Sequence, residues 1–333
     1  MKLSGYVTTI NTVEMDYPME ESLKSLLEFC DEVVVMDSSN GNDSTKDVLS
    51  DLRKQNNNLK LYTASVDWSA PNHGVFDGAL KQAAREKCTG DFLWQSDIDE
   101  IVKKEDRAKL EDLLKQTNYL KDIPILCLPV VEYWGSYNKT RVDVNPWKWR
   151  VSRNDPDITH GIPISHRKYE NGFLYSKHGS DGCDFISKTN GNPIQSLNFM
   201  NPQIEQLRIA ALQNEEARKQ YEIWFNHISS NLPTVYHYSW FSIKSKIEKY
   251  KLFWTDFWPA LYNETQKNQN IFFDNIPWED VTEEMIIAKA NELKEKSGGH
   301  IFHKPWNGES TPSIVIQNNP YELMEKWCEK HKI

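Results

Sequence analysis

The stretch richest in chemistry is Gly90-Asp91-Phe92-Leu93-Trp94-Gln95-Ser96-Asp97-Ile98-Asp99-Glu100, an apolar run that ends in three acids within four residues. Phe, Leu and Trp favour a buried strand. Clustered carboxylates do not favour burial unless something positive meets them. A strand end that holds a divalent cation in a cleft reconciles the two halves. Alternate residues of an extended segment point the same way, so Asp97 and Asp99 are expected to face one site. The other reading is an acidic helix N-terminus after the strand, since acids favour that place. Glu100 is expected to cap the next helix or hold a loop.

The elements that must position these acids follow a regular order. Ser4–Ile10 reads as a strand, and Met19–Cys30 as a helix with Leu23, Leu26, Leu27 and Cys30 on one face. Glu32–Met36 is a strand whose near-continuous apolar run suits a parallel sheet covered on both faces. A polar loop from Asp37 to Thr45 offers helix caps, and a helix then runs to Gln55. Leu59–Ala64 is a third strand, and Gly74–Cys88 a helix with Val75, Ala79, Ala83 and Ala84 inward. Phe92–Gln95 completes a β-α-β-α-β-α-β run, the pattern of an open parallel sheet with helices on both faces. Ligands of such sheets sit at the carboxyl ends of the strands. Those ends are Thr8–Asn11, Asp37–Asn40 and Asp97–Glu100, all on one edge. No G-x-G-x-x-G follows the first strand, which disfavours a dinucleotide fold, and no P-loop pattern exists.

The totals narrow the class. The chain has 333 residues, enough for one large domain or two ordinary ones, with 39% hydrophobic and 12% aromatic content to build a core. A formal charge of −9 argues against non-specific nucleic-acid binding, which needs a basic face. A phosphate-bearing ligand must then be met by a metal or by a few placed cations. The five cysteines are scattered, with no C-x-x-C pair, so neither a zinc ribbon nor a disulfide framework is indicated. No signal-peptide pattern opens the sequence and no apolar run is long enough to span a membrane, so a cytoplasmic protein is expected, with peripheral membrane contact left open.

Thr8-Thr9-x-Asn11 after the first strand, Asp37-Ser38-Ser39 after the second and Gly90-Asp91-Phe92-x-x-Gln95-x-Asp97-x-Asp99-Glu100 together resemble a family 2-type glycosyltransferase of the GT-A fold, over roughly the first 150 residues. The resemblance implies transfer of a sugar from a UDP- or GDP-sugar to a saccharide, lipid-linked or other hydroxyl acceptor, as in polysaccharide synthesis. It implies a GT-A catalytic domain over 1–240, with a nucleotide-binding half at 1–100 and an acceptor half at 101–240. Residues 241–333 then form a helical, aromatic-rich extension. Thr8, Thr9, Asn11, Asp37 and Ser38 take the places that meet base and ribose, although the family's second strand end carries two acids in a row where this chain has Asp37 followed by serines. Asp77 and Lys81 share a helix face where relatives place a cation for the donor, and Gln95 belongs to the same edge. Asp97 and Asp99 correspond to the acids that bind Mn2+ or Mg2+, with Asp99 the direct ligand and Asp97 on ribose or on the metal through water. His237, in Val235-Tyr236-His237-Tyr238-x-Trp240, stands where such enzymes supply a third ligand; a packed His among aromatics is the alternative. The following Lys244, Lys246 and Lys249 are either a diphosphate contact or a solvated face.

The rest of the chain supplies acceptor-side expectations. Tyr133, Trp134 and Tyr137 offer faces on which a sugar could stack, or are core. An inverting transfer needs a group to take the acceptor proton, and Glu132, His166, Asp181 and Asp184 are the candidates. Gln203–Tyr221 is expected as one charged helix, and Trp278–Ile287 and Tyr321–Lys332 as further helical segments. A nucleotidyltransferase and a catalytically inactive sugar-binding protein on the same fold are the alternative functions. A nucleotidyltransferase would be expected to show a Gly-rich, basic loop after its first strand, which is missing here.

Overall fold

A computed structural model of the chain describes residues 1–65, 73–116, 123–160, 167–170, 173–176, 185–252, 270, 272–273, 276–296, 299–300, 304–305, 313–317 and 321–331. The elements run β1 (Leu3–Thr9), α1 (Met19–Phe29), β2 (Glu32–Asp37), α2 (Thr45–Gln55), β3 (Leu59–Thr63), α3 (His73–Arg85), β4 (Phe92–Gln95), β5 (Glu100–Val102), α4 (Asp106–Gln116), β6 (Ile125–Glu132), β7 (Lys139–Arg141), β8 (Trp147–Arg153) and β9 (Ile158–His160). They continue with β10 (Arg167–Glu170), β11 (Phe173–Ser176), β12 (Phe185–Ser187), β13 (Ser196–Leu197), α5 (Pro202–Ala211), α6 (Glu215–Asn231), β14 (Val235–His237), α7 (Ile243–Leu252) and α8 (Glu283–Lys296). The class is mixed α/β with a mostly parallel sheet. Two compact units divide the chain: Met1–Asp99, Glu111–Cys127 and Trp149–Leu197 form one, and Glu100–Leu110, Leu128–Lys148 and Asn198–Ile333 the other. The boundary expected at 240 falls inside the second unit.

In the first unit, β1 pairs in parallel with β2 and with β4, and β2 with β3. The antiparallel β8 adds to β4, with Trp94 opposite Val151. Thr9, Asp37, Thr63 and Gln95 therefore end their strands on a common edge, as the sequence predicts. All six residues of β2 are buried, as its apolar run requires. Tyr6, Val34, Met36, Leu80, Ala84, Cys88 and Leu93 pack as one core. On α1 the buried face is Met19, Ser22, Leu23, Ser25, Leu26 and Phe29, while Leu27 is half-buried. On α3 Leu80, Ala84 and Arg85 are buried and Ala83 packs on the same core, while Ala79 is exposed, so the expected inward face holds at Ala83 and Ala84 and not at Ala79.

The opposite end of β2 holds a closed polar cluster. Glu32 accepts bonds from Lys60 (2.6 Å), Ser4 (2.5 Å), and the Thr89 backbone amide and hydroxyl. Burial alone would raise its carboxyl, but the bonds from Lys60, Ser4 and Thr89 outweigh that and hold it down at about 2. Gly90 lies beside this cluster. Its amide donates to Ser4 Oγ at 2.7 Å, and a Cβ there would sit 2.8 Å from the Lys2 carbonyl oxygen and the Ser4 nitrogen.

In the second unit β14 pairs in parallel with β6 and antiparallel with β5, so His237 lies opposite both Glu132 and Glu100. One core there gathers Ile101, Val131, Tyr133, Tyr236, Phe241 and Trp327, and another Trp134, Trp240, Ile247, Tyr250 and Trp278. The helix expected over 203–221 is two. Asn214 interrupts it and caps α6 through its side chain, which accepts from the Ala217 amide. Cys30, Cys88, Cys127 and Cys328 are buried. Among the described residues no helix is long and apolar enough to cross a membrane.

Candidate functional site

The carboxyl ends of β1 and β2 build a polar cluster around Asp37, which is 1% exposed. Its Oδ1 accepts three bonds, from Thr9 Oγ1 (2.8 Å), Ser39 Oγ (2.7 Å) and the Ser39 amide (3.2 Å). Its Oδ2 is buried with no hydrogen-bond partner among the described residues. Buried carboxylate oxygens are almost always satisfied, because leaving one bare costs its full desolvation. Around it, the Ser38 amide and hydroxyl both donate to the Thr9 carbonyl. Asn11 holds the two loops together: its amide donates to Ser39 Oγ at 2.8 Å and its side-chain oxygen accepts from the Asn40 amide at 3.2 Å. Asn11 does this with a φ of 39°, a left-handed conformation that Asn tolerates better than most residues. Thr8 is half-buried at the same strand end. The structure thus brings Thr9, Asn11, Asp37 and Ser38 together as predicted, and adds Ser39.

One strand over, the end of β4 carries an ionic network. Asp97 Oδ1 meets Lys81 Nζ at 3.1 Å and Gln95 Nε2 at 3.0 Å, while its Oδ2 accepts from Arg150 Nη2 at 2.8 Å. Lys81 also pairs with Asp77 at 3.0 Å, and Arg150 donates to Gln95 Oε1. Asp77, Lys81, Gln95 and Asp97 were all expected here; Arg150 was not. The one available signal was the alternation of basic and aromatic residues in Trp147-Lys148-Trp149-Arg150, which gives the basic positions a common face in a strand. The register that sets Trp94 against Val151 is what carries Arg150 to Asp97, 53 residues away in sequence.

The extended strand ends at Gln95, and Ile98 and Asp99 form a turn, so strand alternation does not run through Asp97 and Asp99. Asp99 is buried at 7% exposure. Glu100 opens β5, fully buried, and its carboxylate takes the Lys148 ammonium at 3.0 Å.

In the second unit His237 Nδ1 lies 2.5 Å from Glu132 Oε2, with Lys148 Nζ at 3.3 Å from the same nitrogen. Burial would raise the Glu132 carboxyl, but His237, Lys148 and Arg141 prevail and lower it to about 2. A carboxylate that holds its charge so firmly is a weak proton acceptor at neutral pH. It serves better to fix the tautomer and orientation of His237, as carboxylates do for imidazoles that ligate metals or move protons.

Among the described residues no three His, Cys, Asp or Glu side chains gather in a set that could hold a metal ion. Both oxygens of Asp97 face protein cations. Of the two readings of the acceptor-side aromatics, burial favours core. Tyr133 and Trp134 are 1% and 2% exposed, Trp134 stacked on Trp240 with ring centroids 5.2 Å apart and Tyr133 tilted on Tyr238 at 4.7 Å. They are core, as is most of Tyr137, which packs on the same cluster as Tyr133. Lys244 pairs with Glu248 and Glu283, Lys246 donates to Ser239, and Lys249 is buried. His166, Asp181 and Asp184 lie outside the described residues.

No family model matches the chain, and none of the curated proteins compared with it does. Among solved structures it is similar to S. aureus TarS 1–349 in complex with UDP-GlcNAc, at 17% identity and a TM-score of 0.35, over 96% of this chain and 99% of that one. It is also similar to mannosyltransferase PcManGT from Pyrobaculum calidifontis in complex with GDP-Man and Mn2+, at 21% identity and a TM-score of 0.28, over 38% and 35% of the two chains. A third is glucosyl-3-phosphoglycerate synthase from Mycobacterium tuberculosis in complex with Mn2+ and UDP-glucose, at 15% identity and a TM-score of 0.27, over 39% and 43%.

Proposed function

We propose that the chain is a GT-A glycosyltransferase that takes a UDP- or GDP-sugar and passes the sugar to a hydroxyl of a saccharide or lipid-linked acceptor, in glycan or polysaccharide synthesis. The observation that carries the reading is the bare Oδ2 of buried Asp37 at the carboxyl edge of a parallel sheet. A nucleoside offers what that oxygen lacks, a base N–H or a ribose O–H, and a flat apolar body to cover it. Two strands away, at the end of β4, Lys81 and Arg150 supply positive charge for a diphosphate. Such donors act most strongly on charge that builds on a leaving group in a water-poor site.

In this reading Thr8, Thr9, Asn11, Asp37 and Ser38 hold the nucleoside, and Lys81 and Gln95 face the diphosphate end, where Asp77 and Asp97 are the carboxylates that pair with its cations. Asp99 is the carboxylate to which a Mn2+ or Mg2+ ion is assigned. When bound, such an ion would neutralise charge on the diphosphate. His237 has the carboxylate-braced imidazole suited to metal or proton chemistry, with Glu132 as its brace rather than as the acceptor base. The base is then sought among His166, Asp181 and Asp184.

The test is a thermal-shift and calorimetric panel of UDP- and GDP-sugars, nucleoside triphosphates and free sugars, with and without Mn2+. A nucleotide-sugar that raises Tm and is hydrolysed slowly supports the proposal. A response to triphosphates alone favours a nucleotidyltransferase, and a response to free sugars alone the inactive sugar-binding protein. Silence across the panel overturns the reading.

A further inference from the structure

The ionic network at the end of β4 is layered in an unusual sense. Its cations lie deeper than its anions: the side chains of Arg150 and Lys81 are 6% and 12% exposed, those of Asp97 and Asp77 32% and 30%. A buried guanidinium keeps its proton under all ordinary conditions and must be met by an anion. Here the carboxylate that meets it is the outermost member of the group, and the same carboxylate also meets Lys81. Gln95 fixes the arrangement from below, accepting from Arg150 and donating to Asp97.

We infer that Asp97 is an internal stand-in for a phosphate group: its carboxylate occupies an anion seat built by Arg150, Lys81 and Gln95, and a diphosphate ligand takes that seat by displacing it. The identity of the ligand as a nucleoside diphosphate rests on the proposed function; the seat itself rests on the network alone. The guanidinium fork that binds a carboxylate binds phosphate oxygens with the same geometry. A diphosphate brings more charge and more acceptor oxygens than one carboxylate, so the exchange leaves both cations better satisfied. Asp97 is the member exposed enough to swing toward water when it is displaced. Arg150 is then a donor-binding residue that no acidic motif reveals. Asp97 is an anion that competes with the ligand rather than a metal ligand that recruits it.

The two roles for Asp97 predict opposite signs. Isothermal titration of the full chain in EDTA, with inorganic pyrophosphate, UDP, GDP and uridine, separates them. Asp97→Asn keeps the shape of the side chain and removes the competing charge, so pyrophosphate and the nucleoside diphosphate are expected to bind about tenfold tighter than to wild type. Arg150→Lys keeps a charge but loses the fork and is expected to bind them at least tenfold more weakly, and Lys81→Gln several-fold more weakly. Uridine affinity is expected to be the same in all four proteins. Thermal melts identify a variant that has not folded; if Arg150→Lys is one, the partly exposed Asp97→Asn decides alone. Unchanged or weaker pyrophosphate binding by Asp97→Asn overturns the inference, as does the absence of pyrophosphate binding by both wild type and Asp97→Asn. Pyrophosphate that follows the predicted order while UDP and GDP bind no better than pyrophosphate leaves the seat standing and counts against the nucleotide-sugar reading. A nucleoside diphosphate whose affinity ignores both substitutions does the reverse.

Discussion

Replacing Asp37 by Asn separates binding from folding in a way the geometry makes quantitative. Two terms act on the ligand-free protein. The three bonds into Oδ1, from Thr9 and Ser39, become bonds to a neutral amide oxygen and weaken. Against that, the buried site no longer holds a charged oxygen with no partner. Each term is on the order of 1–2 kcal/mol, and they oppose one another. The net change in stability is therefore expected to stay within about 1 kcal/mol, or roughly 2 °C in Tm. Ligand binding has no such compensation. The Asn amide cannot accept the nucleoside donor that Oδ2 awaits, and a bond to a charged acceptor is worth about 1.5–3 kcal/mol. Affinity for the nucleoside diphosphate should fall about 10- to 150-fold. Calorimetry with UDP and GDP, beside thermal and urea melts of the apo protein, measures both quantities. A variant that loses several kcal/mol of stability while binding normally would refute the reasoning, because Asp37 would then be a structural acid.

Other outcomes follow from the same contacts. Glu32, held near 2 in the folded chain against about 4.5 when unfolded, contributes on the order of 3 kcal/mol. A carboxyl lowered on folding stabilises above its unfolded value and loses that contribution as pH falls toward 2. Glu32→Gln should therefore cost stability at pH 7 and little at pH 2–3, as read from urea melts across pH. Glu132→Gln breaks a buried pair with His237 and should cost about 2–4 kcal/mol at pH 7, fading over the same acid window; parallel curves for wild type and variant across pH would contradict the assignment. Gly90→Ala places a Cβ within 2.8 Å of backbone atoms at Lys2 and Ser4, which cannot swing aside, and should lower stability by about 1–3 kcal/mol in a thermal melt.

What could be read from the chain alone divides along physical lines. Val33–Met36 announced a fully buried parallel strand, and the β-α-β order put Thr9, Asp37 and Gln95 on one edge; both depend on local pattern and were legible. The turn at Ile98–Asp99 was not, because nothing in Ser-Asp-Ile-Asp distinguishes a strand end from its continuation. Arg150 was hidden for a different reason: its partner is set by the pairing of β8 with β4, a contact between distant segments. Tyr133 and Trp134 were ambiguous because the same rings that stack on sugars also fill cores, and only burial separates the two uses.

Strand β2 begins and ends with a buried acid, and among the described residues hydrogen bonds saturate only the first. Under the proposed function, foldability and recognition fall to opposite ends of a single strand. On that reading, a protein engineer wishing to change which nucleotide is accepted would leave Glu32, Lys60 and Thr89 alone and diversify the exposed residues at 40–42 beyond Asp37, where the backbone leaves the sheet.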